Sequence, residues 1–469
     1  MRLLTIATFG ISTFPAEQAH TDLGVELGLW TVLPFVATLL AIAIFPLFAA
    51  HWWEKNRNKA FVAAGLAVPI AAYLVVGFGH AGVETLIEKA QEYASFIILL
   101  TALFVITGGI YVHGSFSGTP LVNTGIMAFG AVIANLIGTT GASVLLIRPL
   151  LRANAARQRK AHIVIFFIFV VSNCGGLLTP LGDPPLFLGF LKGVPFEWTL
   201  GLWREWLLVN VIVLLIFNAW DQVALNREER ERPGPLLEEV QQHAPLRVYG
   251  LHNAVFLACV VATIYASGRG IGNGGDPWQF GIQEGAMLAI AVAAFLSTRA
   301  DNRNNNKFTF GPIIEVAVLF AGIFVTMAPA LLILNAWGQG NRPDLPAFGL
   351  SEPWHFFWAT GTLSSFLDNA PTYLTFAATA SGLEGIPVEG RYLATLLDKG
   401  PNAIRILTAI SCGAVMMGAN TYIGNGPNFM VKAIAEENGV KMPSFFGYMA
   451  YSCGILLPTF VIVTLVFFR

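Results

Sequence analysis

A chain of 469 residues that is 55% hydrophobic and only 12% charged, with a mean hydropathy of +0.64, is too apolar for a soluble fold, which carries about 25% charged residues. A net charge of −1 offers no basic surface for nucleic acid. Cys174, Cys259, Cys412 and Cys453 are scattered through apolar segments without metal or disulfide spacing and read as buried structural thiols. In chain order, Arg2, the apolar run Leu3 to Phe14 and "PAEQA" at 15–19 form a signal-like segment, 1–28, or else an uncleaved extramembrane tail. Either reading puts the chain before Leu29 outside the cytoplasm. Apolar stretches then predict spans over 29–50, 60–78, 93–112, 203–220, 250–267, 283–298, 311–335 and 446–468. Four further segments are interrupted by polar residues: 119–150, 161–191, 354–382 and 403–435.

Charge fixes the expected orientation. With Leu29 starting outside, and with 119–150 and 354–382 each entering and leaving on one side, the inside loops hold 17 Lys plus Arg and the outside loops 8. That bias follows the positive-inside rule, led by "RPLLRANAARQRK" at 148–160. The mixed-charge stretch 221–249 reads as a cytoplasmic linker between a first half, 29–220, and a second half, 250–469. Seven histidines (His51, His80, His113, His162, His243, His252 and His355) fall at or near segment ends and read as solvated there. Glu315, near a cytoplasmic end, reads as a snorkelling interfacial acid.

The halves resemble each other. "ALFVITGG" at 102–109 lies on "GIFVTMAP" at 322–329, and "GLLTPLGDPPL" at 176–186 lies on "GANTYIGNGPN" at 418–428. The loop assignment runs the paired segments in opposite directions, so the expected fold is an all-α polytopic membrane protein of two inverted repeats. Each repeat has a re-entrant hairpin (inner 119–150, outer 354–382) and a broken transmembrane helix (161–191, 403–435). Inverted repeats with broken helices point to a transporter with its site at the midplane.

The interruptions supply the candidate ligands. Breaking a helix in an apolar setting frees carbonyls at one end and N–H groups at the other, which can hold ions. The first broken segment offers Asn173, Thr179, Gly182 and Asp183; the second offers Asn420, Thr421, Gly424, Asn425 and Asn428. The hairpins add Asn135, Thr139, Thr140 and Ser143, then Ser364, Ser365, Asp368, Asn369 and Thr372. One such break reads equally as a proline kink with a capping Asn or Asp; four, arranged two by two, point to an ion path. Asp183 can serve as the N-cap of its own half-helix, whereas Asp368, deep in a hairpin, has no such role. Gly182 and Gly424 are expected to leave room for a bound ion.

"SNCGGLLTPLGDPP" at 172–185 and "LDNAP" at 367–371 carry a resemblance to the ion transporter superfamily, covering the chain from about residue 30 to its end. That group includes citrate and dicarboxylate carriers, arsenite permeases and D-type bacterial sodium/proton antiporters. The first motif is most similar to the antiporter and arsenite branches, although "ANLIGTTGAS" lacks the acid those branches often place in the first hairpin. The resemblance implies two sodium sites: Asn135, Thr139 and Thr140 with the 173–183 loop, and Asp368 and Asn369 with the 420–425 loop. The sodium ligands it implies are Asn135, Thr140, Asp183, Asp368, Asn369 and Asn425. It suggests a homodimer as well.

Acidic groups near the midplane, Asp183 and Asp368, favour a cation as cargo. The leading expectation is a sodium/proton antiporter of the inner membrane, multi-pass, in contact with membrane lipid. No cofactor is expected beyond sodium as transported or coupling ion. Sodium-coupled citrate or dicarboxylate transport is the alternative. An intramembrane protease is a distant third, because "PLGDPP" lacks the first glycine of a GxGD motif.

Overall fold

The computed structural model describes residues 23–231, 240, 244–346 and 349–469. Residues 1–22 of the signal-like segment 1–28 and part of the linker (232–239 and 241–243) lie outside the described residues. Among the described residues, seven helical segments are long and apolar enough to cross a membrane. Among the same residues, sheet is confined to one antiparallel ribbon, β1 (Tyr111–Ser115) against β2 (Ala244–Tyr249). The chain is an all-α polytopic membrane protein, as its composition requires: in lipid each backbone polar group must be satisfied within its own segment, which a helix does.

The helices in order are α1 (Leu33–Phe48), α2 (Asn56–Gly108), α3 (Pro120–Ala153), α4 (Ala161–Val170), α5 (Pro184–Leu191), α6 (Trp203–Glu231), α7 (Asn253–Gly268) and α8 (Ile282–Ser297). They continue with α9 (Gly311–Gly338), α10 (Pro353–Phe366), α11 (Asn369–Leu383), α12 (Pro401–Met417), α13 (Gly426–Glu437) and α14 (Phe445–Val463). Short helical turns connect some of them.

Both α2 and α3 reverse direction partway along, at a single glycine. At Gly79 (φ 55°) and Gly138 (φ 76°) the backbone enters the region that glycine reaches at little cost. In α3, Asn154 donates to Asn123 at 2.8 Å across 31 residues, which a straight helix would hold about 46 Å apart. The segment is a helical hairpin with Gly138 at its tip, inside the stretch "NLIGTTGAS". The second hairpin, α10 and α11, turns at Leu367 and Asp368.

The reversal in α2 corrects one expectation. The stretch 79–92 reads as a loop because it carries Glu84, Glu88, Lys89 and Glu92, yet helix resumes directly after Gly79. These charges are carried because they pair. Lys192, just beyond α5, lies 2.7 Å from Glu88 and 2.5 Å from Glu92, and Lys89 lies 2.9 Å from Glu92. Lys192, Lys89 and Glu92 are all buried. Removing one member of such a cluster leaves a charge uncompensated, which costs about 3–5 kcal/mol. Lys192→Met should therefore lower the thermal midpoint of the purified protein sharply, while Lys432→Met, in an exposed i,i+4 pair with Glu436, should leave it nearly unchanged.

Three smaller expectations also change. Glu315 is not a lone snorkelling acid: it pairs with the buried Lys59 at 2.7 Å, joining α9 to the first arm of α2. His162 is not solvated. It is buried with its Nε2 2.8 Å from Asp221 Oδ1, an oxygen that also meets Arg157 at 2.6 Å. Among the cysteines, Cys174 and Cys412 are buried, but Cys259 and Cys453 lie on the outer surface of the helix bundle.

The core is centred on α4, whose run Ile163 to Val170 is fully enclosed. A helix that is apolar on every face belongs inside a bundle. Its enclosure holds the break that follows it at the centre of the molecule.

Candidate ion-binding site

The first broken segment leaves α4 at Val171, makes a single tight turn over Cys174–Leu177, and restarts at α5. Pro184 opens α5, where its missing N–H costs nothing, and Pro180 bars continuity upstream. The loop between is stitched to the tip of the first hairpin. Thr179 donates its hydroxyl to the Asn135 carbonyl, Leu178 N–H donates to Asn135 Oδ1 at 2.7 Å, and Thr139 N–H donates to the Gly182 carbonyl at 2.8 Å.

The second segment repeats this construction. Thr421 donates its hydroxyl to the Ser365 carbonyl of the other hairpin, and Asn420 Nδ2 donates to Ser365 Oγ at 2.9 Å. Leu181 N–H and Ile423 N–H each donate to the threonine two residues before, both at 3.2 Å. Asp183 and Asn425 hold matching extended positions before their helices, at φ −146°, ψ 145° and φ −153°, ψ 141°.

All four interruptions meet at Asp183. Thr139 Oγ1, from the first hairpin, donates to Asp183 Oδ1 at 2.8 Å, and Asn425 Nδ2, from the second broken segment, donates to the same oxygen at 3.2 Å. Asn369 Nδ2, from the second hairpin, donates to Oδ2. The carboxylate is 1% exposed and every side chain bonded to it is neutral. Behind it, Asn425 also donates to Asn173 Oδ1 at 3.2 Å, and Asn173 donates to Asn428 Oδ1 at 2.7 Å. Asn428 in turn donates to the carbonyls of Gly418 and Thr421, which orients the whole amide chain.

Two buried acceptors point to a guest. Among the described residues, Asn369 Oδ1 and Asn420 Oδ1 have no hydrogen-bond partner. An unmet buried acceptor costs about 1–3 kcal/mol, so such atoms at a functional site call for an ion or water. Asn369 is the more telling, since its amide nitrogen already grips Asp183.

The remaining candidates divide. Thr140 lines a cavity of about 90 Å³ beside Asp183, together with Thr139, Gly182, Phe96, Thr107 and Pro312. Ser143 reaches the carboxylate only through others: its hydroxyl lies 2.8 Å from that of Ser172, whose carbonyl accepts from Asn425. Thr372 donates to the Asp368 carbonyl and shapes the turn.

The roles read for the two aspartates are reversed. Asp183 sits at the N-cap position of α5 but makes no capping bond, whereas Asp368 Oδ1 accepts from Ala370 N–H and caps α11. Asp368 is half-buried rather than enclosed. Since Asn caps as well as Asp, Asp368→Asn should retain stability within about 0.5 kcal/mol and near-normal transport; a denaturation curve and an uptake assay on one preparation check both. Residues the sequence reading passed over are the cavity wall from α2 and α9. Thr107, a hydroxyl within an apolar span, was a visible signal; Phe96 and Pro312 carried none.

Comparison with known proteins agrees with this architecture. No curated protein sequence matches the chain. Residues 24–468, nearly the full length, match the model of a family described as "Putative citrate transport". That match gives the multi-pass bundle a transport role. With paired broken helices closing on one buried carboxylate, the chain belongs to this citrate-transport family of membrane proteins.

Proposed function

We propose that the protein is a secondary transporter that exchanges sodium for protons at Asp183 by alternating access. The observation that carries this reading is a fully enclosed carboxylate gripped only by neutral donors at the meeting point of four helix interruptions. An ionised carboxylate alone in a dry interior is costly; the same group holding Na⁺ or H⁺ is neutral. Either ion stabilises the site, and each displaces the other. That competition is the exchange. Asp183, Thr139 and the free oxygen of Asn369 supply the oxygen ligands sodium prefers, and the α5, α11 and α13 starts fix their positions.

The two stitched hairpin–loop units support an inverted repeat with its site at the membrane midplane. The basic loops support an inner-membrane orientation with 148–160 in the cytoplasm. On that assignment the cavity beside Asp183 extends to Thr107 and Pro312, at cytoplasmic ends of α2 and α9, so this conformation exchanges ions with the inside. A homodimer is part of the reading.

Sodium-coupled transport of citrate or a related organic anion is the second reading, favoured by the family description. Three helix N-termini, of α5, α11 and α13, begin beside the site and suit an anion. Asp183 would then hold the coupling ion. Proteoliposomes separate the two. An imposed sodium gradient should shift internal pH without any organic anion present. A pH that stays flat until citrate or succinate is added, with labelled anion entering, would establish the second reading.

A further inference from the structure

A second cavity lies far from the ion site, on the outer face of α6. Ile216, Ala219, Trp220, Val223, Ala224 and Arg227 line it. Their spacing of three and four residues puts all six on one helix face. The stripe is apolar for most of its length and ends in a cation. Arg159, from the turn before α4, joins Arg227 at that end, and Tyr451 of α14 walls the side, its ring 5.7 Å from that of Trp220. The alanines leave the space, about 780 Å³.

We propose that this groove holds an anionic glycerophospholipid of the cytoplasmic leaflet. The lining fits one lipid by length and by charge. Ile216 to Arg227 spans about 16 Å of helix, against about 15 Å for half the hydrocarbon core. Acyl chains lie along Ile216, Trp220 and Val223, and the headgroup phosphate reaches the two guanidinium groups. Arg227 is exposed and makes no ion pair among the described residues. Arg159 lies 2.8 Å from Glu231, but both side chains are about half exposed, and such a pair holds weakly enough to be shared with a phosphate. His162, also in the wall, is already engaged by Asp221 and takes no part. Trp220, two turns before Arg227, lies at the depth of the acyl chains. Basic pockets between helices on the cytoplasmic side favour anionic headgroups. The groove abuts Arg157, Asp221 and His162, the buried knot that ties α4 to α6, so bound lipid braces the base of the broken helix.

The test uses the full chain in phosphatidylcholine vesicles doped with acyl-brominated phosphatidylglycerol or acyl-brominated phosphatidylcholine. Trp220 emission is isolated as the difference between wild type and Trp220→Phe. Brominated phosphatidylglycerol should quench at about tenfold lower mole fraction than brominated phosphatidylcholine. Arg159→Gln with Arg227→Gln should bring the curves together, and Arg227→Lys alone should keep them apart. Coincident curves in wild type, or a preference that survives the double variant, would overturn the proposal. So would quenching by neither lipid, which would mean that a second copy of the chain covers the groove. None of these outcomes depends on which ion the protein carries.

Discussion

Asp183→Asn should reduce sodium-driven proton movement in proteoliposomes to the level of protein-free vesicles. The substitution keeps shape and one oxygen but replaces the other with an amide. Three donors already converge on the two carboxylate oxygens: Thr139 Oγ1 and Asn425 Nδ2 on one, Asn369 Nδ2 on the other. Whichever way the amide turns, its NH₂ faces a donor, and a buried polar group left unmatched costs about 1–3 kcal/mol. The larger loss is charge. Without it, the carboxylate on which all four interruptions converge can no longer be neutralised by either sodium or a proton, and competition between them there ends. If the protein is instead a sodium-coupled anion carrier, the same variant should retain some uptake at high sodium. Wild-type exchange from Asp183→Asn would remove Asp183 from the mechanism.

Gly182→Ala and Gly424→Ala should each abolish transport and lower stability. The sequence reading attributes these glycines to space needed by an ion, but the structure gives a different reason. A β-carbon at Gly182 would lie 2.1 Å from the Gly176 carbonyl oxygen, and one at Gly424 would lie 2.5 Å from the Gly418 carbonyl oxygen. Both obstacles are backbone, so the loop itself must open. Overpacking of this kind costs about 1–3 kcal/mol, and here it also displaces Asp183 or Asn425, the next residue in each case. Gly426→Ala is the control, since no atom of the described residues lies within 4 Å of its β-carbon. It should transport normally. Equal activity in all three variants would mean that the two loops tolerate opening, and the stitched geometry would lose its functional role.

The breaks were legible because their signals are local. Pro180, Pro184 and Gly182 within an apolar run stop a helix whatever surrounds it, and "NLIGTTGAS" marks a hairpin tip by the same logic. The division of labour between Asp183 and Asp368 was not legible. It depends on donors 44, 186 and 242 residues away from Asp183, and on one two residues from Asp368. A local reading sees an acid before a helix in both places. The helix over 80–92 was hidden for a related reason, since Lys192, which pairs with half-buried Glu88 and lets Glu92 stay buried, lies about a hundred residues on. Periodicity reports which face is apolar, but a charge that finds its partner through the fold reads as a loop until the fold is known.

The central claim is that one buried carboxylate binds sodium and protons in competition. Calorimetric titration of sodium into purified protein across a pH series tests it most directly. The account predicts that sodium affinity weakens as pH falls, approaching about tenfold per pH unit for one competing proton, and that Asp183→Asn removes the pH dependence while Asp368→Asn keeps it. Sodium binding that is independent of pH in the wild type, or whose pH dependence survives Asp183→Asn, would contradict it.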